Sequence, residues 1–220
     1  VESDNPEIRK ASALTCCQLF VHDPIINQTS SHSIQVVSEV IDKLLTVGVG
    51  DPDPEIRRTV LWSLDRKFDR HLAKPENIRC LFLAVNDEVF AVREAAISII
   101  GRLSSVNPAY VFPPLRKLLV NLLTGLGFAN TARQKEENAQ LISLFVSNAT
   151  KLIRSYVDPM VNSLLPKTTD ANASVAATTL KAIGEIATVG GSEMKQYLPQ
   201  LMPIILDALQ DLSSHAKREA

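Results

Sequence analysis

The chain has 220 residues, 45% of them hydrophobic, enough to bury a sizeable core. Its 23 Lys and Arg stand against 24 Asp and Glu for a net charge of −1, a balance that gives neither a basic excess for nucleic acid nor an acidic tail. The uncharged run between Lys117 and Arg133, which no other exceeds, holds 15 residues including Asn121, Thr124 and Asn130, short of the about 20 mostly apolar residues of a membrane span. The opening residues VESDNPEIRK have no apolar region of the secretory kind. Cys16, Cys17 and Cys80 lack metal-site or CxxC spacing and read as reduced thiols of a cytosolic protein. The sequons at Asn27, Asn148 and Asn172 then read as chance.

In chain order the pattern is helical throughout. NPEIRKASALTCCQLF opens a helix almost at residue 1, with Asn5 as cap and Pro6 in the first helical position. Residues 33–47 form an apolar helix, and Gly48 and Gly50 form a turn before a second helix capped by Asp53. Residues 75–85 and 86–106 form the next pair. In the second of these Asn86 and Asp87 are the cap candidates, Glu88 lies in the first turn, and Val89, Val92, Ala96, Ile97, Ile100 and Leu103 form the apolar stripe. Residues 108–126 pair with 131–147 across a turn at Gly125 and Gly127, and 157–168 pair with 173–189. Gly190 and Gly191 close the latter before a cap at Ser192, and 192–210 precede a last helix. An interior proline costs about 3 kcal/mol or more, so the prolines at 75, 108, 113, 114, 159 and 166 are expected in or before turns. Pro203 is expected to kink its helix or to divide it after Tyr197.

The second helices repeat. Aligned on an apolar residue followed by a base, the anchors fall at positions 9, 57, 93, 135, which keeps only the base, 176, which keeps only the apolar residue before it, and more weakly 217, with gaps of 48, 36, 42, 41 and 41 residues. The period matches the about 40–47 residues of HEAT and armadillo arrays. Asp lies six residues before the anchor at Asp51, Asp87, Asp170 and Asp211. A small residue lies eight after it at Cys17, Gly101, Ser143 and Gly184, where it is expected to face a neighbouring helix. Asp65 breaks that column, so the face there is expected to be rotated or partly open. The fold class is therefore all-α, a right-handed α-solenoid of HEAT-type helix pairs. Its approximate repeats are 1–28 (partial), 29–74, 75–107, 108–148, 149–191 and 192–220 (partial). AKREA stops in mid-pattern, which predicts a segment of a longer chain; exposed terminal faces would make it self-associate.

No catalytic constellation emerges. His22, His32, His71 and His215 form no HExxH and lie near no Cys or carboxylate set, so no metal or cofactor is expected. GxSxG, a Walker loop, GxGxxG and kinase signatures are lacking. Asp51, Arg57, Asp87, Arg93, Lys135 and Asp170 are candidates for a ladder in which each Asp near a helix start caps its own helix and pairs with a base of the adjacent repeat. The competing reading of these charges is a binding patch. Trp62 is a candidate partner contact, since Trp is enriched at hot spots. Its column, with Leu14, Ser98, Gln140 and Lys181, is mixed and suggests a partly exposed edge. Arg66, Lys67, Arg70 and His71 read as a basic, solvated helix end.

Beyond the generic repeat, NDEVFAVRE, GRLSSVNPA and LRKLL within residues 68–126 resemble the N-terminal HEAT region of target-of-rapamycin kinases. FVSNATKLIRSYVDPM, IGEIATVGGSEMKQY and LQDLSSHAKRE continue the resemblance, which is weakest before about Asp51. It implies that this segment carries no catalysis and belongs to a scaffold, with the catalytic domain of a large serine/threonine kinase far C-terminal of it. It implies protein partners, a Raptor-type substrate-recruiting subunit and a second copy of the kinase. It also implies a cytoplasmic location, peripheral on vacuolar or lysosomal endomembranes as part of the complex. The rival classes are a karyopherin-β-type transport receptor, a phosphatase scaffold and a free-standing enzyme. The near-neutral charge speaks against the first, the uneven repeat length against the second, and the lack of motifs against the third.

Overall fold

A computed structural model of the chain describes residues 3–22 and 30–210, the side chains of residues 20–22 excepted. The sequon at Asn27, the side chain of His22, and Asp211, His215 and the anchor at Lys217 lie outside the described residues. The described residues hold α-helices and short 3-10 helices and no strand. Two compact units divide the chain, Val1–Val111 and Phe112–Ala220.

The first unit contains α1 (Pro6–His22), α2 (Ser31–Gly50), α3 (Pro54–Ser63), α4 (Asp69–Leu72), α5 (Pro75–Ala84) and α6 (Phe90–Leu103). α3 packs on α1 and on α6, forming one layer; α2 packs on α5 as the other, and α2 meets α3 and α5 meets α6 across them. Caps start the helices where the sequence supplies them. The side chain of Asn5 accepts from the backbone N–H of Glu7 at 2.9 Å, and that of Asp53 from Glu55 at 2.8 Å. Ser30 accepts from Ser33 at 3.2 Å. Each satisfies a donor that the first turn leaves open.

The second unit contains most of α7 (Pro108–Phe128), then α8 (Ala132–Asn148), α9 (Thr150–Ile153), α10 (Val157–Leu164), α11 (Ala173–Gly190) and α12 (Leu198–Gln210). α8 lies along α11, and α10 packs on α11. Thr131 caps α8 and Asn172 caps α11. Gly191 ends α11 with φ of 53°, in the left-handed region that glycine adopts without a Cβ penalty.

Several expectations need correction. The helix expected over 86–106 begins at Phe90. Asn86 and Asp87 belong to the preceding turn, their N–H groups donating to Leu83 and Ala84 carbonyls, so neither caps it and Glu88 precedes its first turn. Its buried face also includes Ala95 and Ile99, because α6 is packed on more than one side. Gly48, Gly50, Gly125 and Gly127 lie within helices. Gly48 serves a close approach instead: a Cβ there would meet Leu61 Cδ2 at 3.1 Å. Pro113 and Pro114 sit inside α7. The carbonyls they orphan, at Ala109 and Tyr110, belong to exposed residues that water can serve. At Pro203 the division after Tyr197 is the outcome: a 3-10 helix, Gly191–Tyr197, runs into α12, and Ser192 lies inside it without capping.

The small-residue column divides. Cys17, Gly101 and Ser143 are buried, whereas Gly184 is exposed with open space where a Cβ would stand. At Asp65 the helix face is not rotated; α3 has simply ended, and Asp65 starts a 3-10 turn, Arg66–Phe68. Arg66, Lys67, Arg70 and His71 accordingly lie on that turn and on α4, beyond the end of α3.

Candidate functional site

Two features gather the candidate residues. The first is a set of aspartates that share one local geometry, used three times. Asp51, Asp87 and Asp170 each stand two residues before an N-cap, and each carboxylate accepts the cap residue's N–H: Asp53 at 2.9 Å, Val89 at 2.8 Å and Asn172 at 3.0 Å. The aspartate thus orients the cap and does not itself cap the helix. Its remaining lone pairs face the preceding repeat. Arg57 Nε donates to Asp87 Oδ2 at 2.8 Å and Nη2 to Oδ1 at 2.9 Å, with both side chains 8% exposed. Lys135 Nζ donates to Asp170 Oδ2 at 2.6 Å.

Arg9 makes the same fork to Asp51, Nε to Oδ2 at 2.7 Å and Nη2 to Oδ1 at 3.1 Å. It had been an alignment anchor only; its register, identical to that of Arg57, was the signal for a rung. The third nitrogen of each arginine turns back on its own chain. Nη1 of Arg9 donates to the Ser3 carbonyl at 2.9 Å, that of Arg57 to Asp51 at 2.7 Å, and that of Arg93 to Asp87 at 2.8 Å and Glu88 at 3.1 Å. So Arg93 buttresses the turn that presents Asp87. The position six residues before Lys135, where the column would put another carboxylate, is Ala129.

The electrostatics follow. Hydrogen bonds from Arg9 hold the Asp51 carboxyl below the usual carboxylate range, against the opposing effect of its burial. Burial pushes Asp87 up, but the bonds from Arg57 and the Val89 N–H, with the charges of Arg57 and Arg93, leave it lowered. Lys135 and the Asn172 N–H lower Asp170. These carboxylates are committed acceptors without a free proton to exchange near neutrality. Burial pushes the Cys17 thiol up to about 12, which keeps it a neutral, unreactive group. No group of three or more His, Cys, Asp or Glu among the described residues is placed to hold a metal ion.

The second feature is a notch beside Trp62. α1 continues thirteen residues beyond Arg9 and α6 ten beyond Arg93, but α3 stops six beyond Arg57. The shortfall opens a cavity of about 440 Å³ lined by Leu14, Cys17 and Gln18 of α1, by residues 62–66, and by Arg102. Trp62 is 51% exposed at its edge. Arg102 closes one wall, donating to Asp69 Oδ1 at 2.9 Å and to the Leu64 carbonyl at 2.9 Å, where it serves the C-terminal end of α3. Nothing in the sequence pattern marked Arg102, because its partners lie 33 and 38 residues away and outside the repeat columns.

No protein-family model matches the chain. It is 50% identical over 221 residues to the serine/threonine-protein kinase tor1 of Schizosaccharomyces pombe, and 48% identical over 220 residues to the serine/threonine-protein kinase TOR2 of Saccharomyces cerevisiae. It is 37% identical over 235 residues to the serine/threonine-protein kinase TOR of Arabidopsis thaliana. Along its whole length the chain matches a segment of the target-of-rapamycin kinases. The resemblance first seen in NDEVFAVRE and GRLSSVNPA thus extends to the region before Asp51 as well. The match takes in all of this chain but only 10%, 9% and 10% of those three kinases, so it concerns a small segment of each.

The fold has its own relatives. A crystal structure of an engineered protein superposes with a TM-score of 0.51 and 14% identity, covering 99% of this chain and 89% of that one. Computationally designed armadillo repeat proteins for modular peptide recognition superpose with a TM-score of 0.50 and 16% identity, covering 99% and 92%. At such identity they show the fold alone, an all-helical repeat of the armadillo-like solenoid class.

Proposed function

We propose that the chain is a non-catalytic scaffold segment from the N-terminal region of a TOR-type serine/threonine kinase, of the phosphatidylinositol-3-kinase-related group, and that it assembles proteins in a growth and nutrient signalling complex. The observation that carries this reading is identity of about half, over the whole of this chain, to a segment of each of two TOR kinases. The partners that fit are a Raptor-type subunit and a second copy of the kinase. The location that fits is the cytoplasm, with peripheral attachment to vacuolar or lysosomal membranes through the complex; no described helix is long and apolar enough to cross a membrane. The repeat bounds given above and the ladder role of Asp51, Arg57, Asp87, Arg93, Lys135 and Asp170 belong to the same proposal.

The test is affinity isolation of the full-length kinase with Arg57→Ala and Asp87→Ala together. Loss of the Raptor-type subunit or of the second kinase copy, with phosphorylation of a generic substrate retained, is the expected result. Unchanged assembly after deletion of the whole segment sinks the reading, and capture of a Ran-type GTPase instead favours a transport receptor.

A further inference from the structure

We propose that the notch beside Trp62 is a docking site for an acidic segment of a partner protein, which seats an apolar side chain against Trp62 and places carboxylates on Arg66 and Arg70. This deepens the scaffold reading, on which it rests, by assigning a surface and a partner chemistry. The shape comes first. α3 ends early between two longer neighbours, so the notch is built into the layer formed by α1, α3 and α6. Its volume of about 440 Å³ lies within the roughly 300–1,000 Å³ of ligand-sized clefts. Its lining is mainly polar, with Gln18, Ser63, Asp65 and Arg66 beside a half-buried Leu14, and the apolar surface it offers is chiefly that of Trp62, half-exposed at its edge.

Charge decides the occupant. The chain as a whole carries −1. Beside the notch, however, Arg66 and Arg70 are both exposed, with Asp65 the neighbouring carboxylate among the described residues. Asp69 is already held by Arg102. Arg66 lines the notch itself, and Arg70 follows one turn along. Arginine is suited to this work: its planar fork takes a carboxylate through two parallel bonds, and Trp and Arg are both enriched at interface hot spots. A basic segment would meet like charge at Arg66 and Arg70, and a purely apolar one would leave these guanidinium groups without counter-charge.

Trp62 is the only tryptophan in the chain, so its fluorescence reports the notch directly. The probe is a twelve-residue peptide of Asp, Glu and Gly around a single Leu, titrated into the full 220-residue chain, beside a counterpart with Lys in place of the acids and vesicles of phosphatidylserine. A saturable change in Trp62 emission with the acidic peptide is expected. It should weaken on the order of tenfold in Arg66→Glu with Arg70→Glu, two exposed positions whose exchange leaves the melting transition in place. No change of emission, an equal response to the basic peptide, indifference to the double exchange, or a response to vesicles alone overturns the proposal. If the peptide fails while the intact kinase still loses its subunit in the ladder experiment, only the notch falls; if the kinase assembles without the segment, the scaffold reading falls with it.

Discussion

Arg57 holds the Asp87 carboxylate through two parallel hydrogen bonds of 2.8 and 2.9 Å, and with its remaining nitrogen binds the carbonyl of Asp51 at 2.7 Å. One guanidinium thus ties the turn before α3 to the turn before α6. Removing Asp87 leaves this buried cation with only the exposed Glu88 carboxylate, at 3.6 Å. Asp87→Ala should therefore destabilise the first unit by about 3–5 kcal/mol. Asp170→Ala should cost less, about 1–2 kcal/mol, since the Lys135 and Asp170 side chains are 23% and 12% exposed. Urea titrations of the two variants beside the parent chain check the order.

The rungs also set the acid limb of stability. Asp51, Asp87 and Asp170 all have lowered pKa values in the folded chain. Such groups contribute stability that is fully present above the unfolded value of about 3.9 and is lost as pH falls through the folded values. Thermal melting should be nearly level from pH 7 to 5 and fall below about pH 4. A triple exchange to Asn should lower the melting temperature at pH 7 and flatten that fall; an acid limb as steep as before would refute the assignment.

Two glycines should respond in opposite directions. A Cβ at Gly48 would stand 3.1 Å from Leu61 Cδ2 and 3.3 Å from Val60 Cγ1, both on fully buried residues with no room to retreat. Gly48→Ala should destabilise by about 1 kcal/mol, crowding outweighing the gain in helix propensity. Gly184 lies within α11 facing open space. Gly184→Ala should stabilise by about 1 kcal/mol, as expected for glycine in a helix interior. Paired denaturation curves measure both.

Thiol chemistry should separate the cysteines. Cys17 is buried with its pKa pushed up to about 12, and burial also raises Cys80, which is half-buried. Iodoacetamide at pH 8 should modify Cys16 first and Cys17 only on unfolding. Peptide mass mapping against time would expose a reactive Cys17 and contradict this.

Helix content and the all-helical repeat class were legible because they rest on local pattern: apolar periodicity, Asx caps and Pro at helix starts. Register was legible too, since Ile8-Arg9 and Ile56-Arg57 occupy equivalent places and both arginines fork onto the next aspartate. What escaped was whatever tertiary packing decides. Gly48 looked like a turn because glycine breaks isolated helices, yet contact with α3 makes its missing side chain an asset. Pro113 and Pro114 are expected in or before a turn, yet solvent access to two carbonyls lets α7 run through them. Asp87 looked like a cap, though its lone pairs were needed two residues earlier, for a turn and a neighbour's arginine. The notch was invisible in the columns because it results from the length of α3 relative to α1 and α6, a property of three helices together.

The rungs also say something about how damage travels. Arg9 reaches 42 residues along the chain, Arg57 reaches 30 and Lys135 reaches 35. Each of these ties stops at the next repeat. A lesion at one rung loosens two neighbouring turns and leaves more distant rungs with their own partners, as in a zip fastener that loses one tooth. In a repeat chain, stability is approximately a sum of repeat terms and neighbour terms, so assembly proceeds by neighbour-to-neighbour docking. Tolerance of a single defect, and growth by adding one helix pair at a time, are thus two expressions of the same short reach.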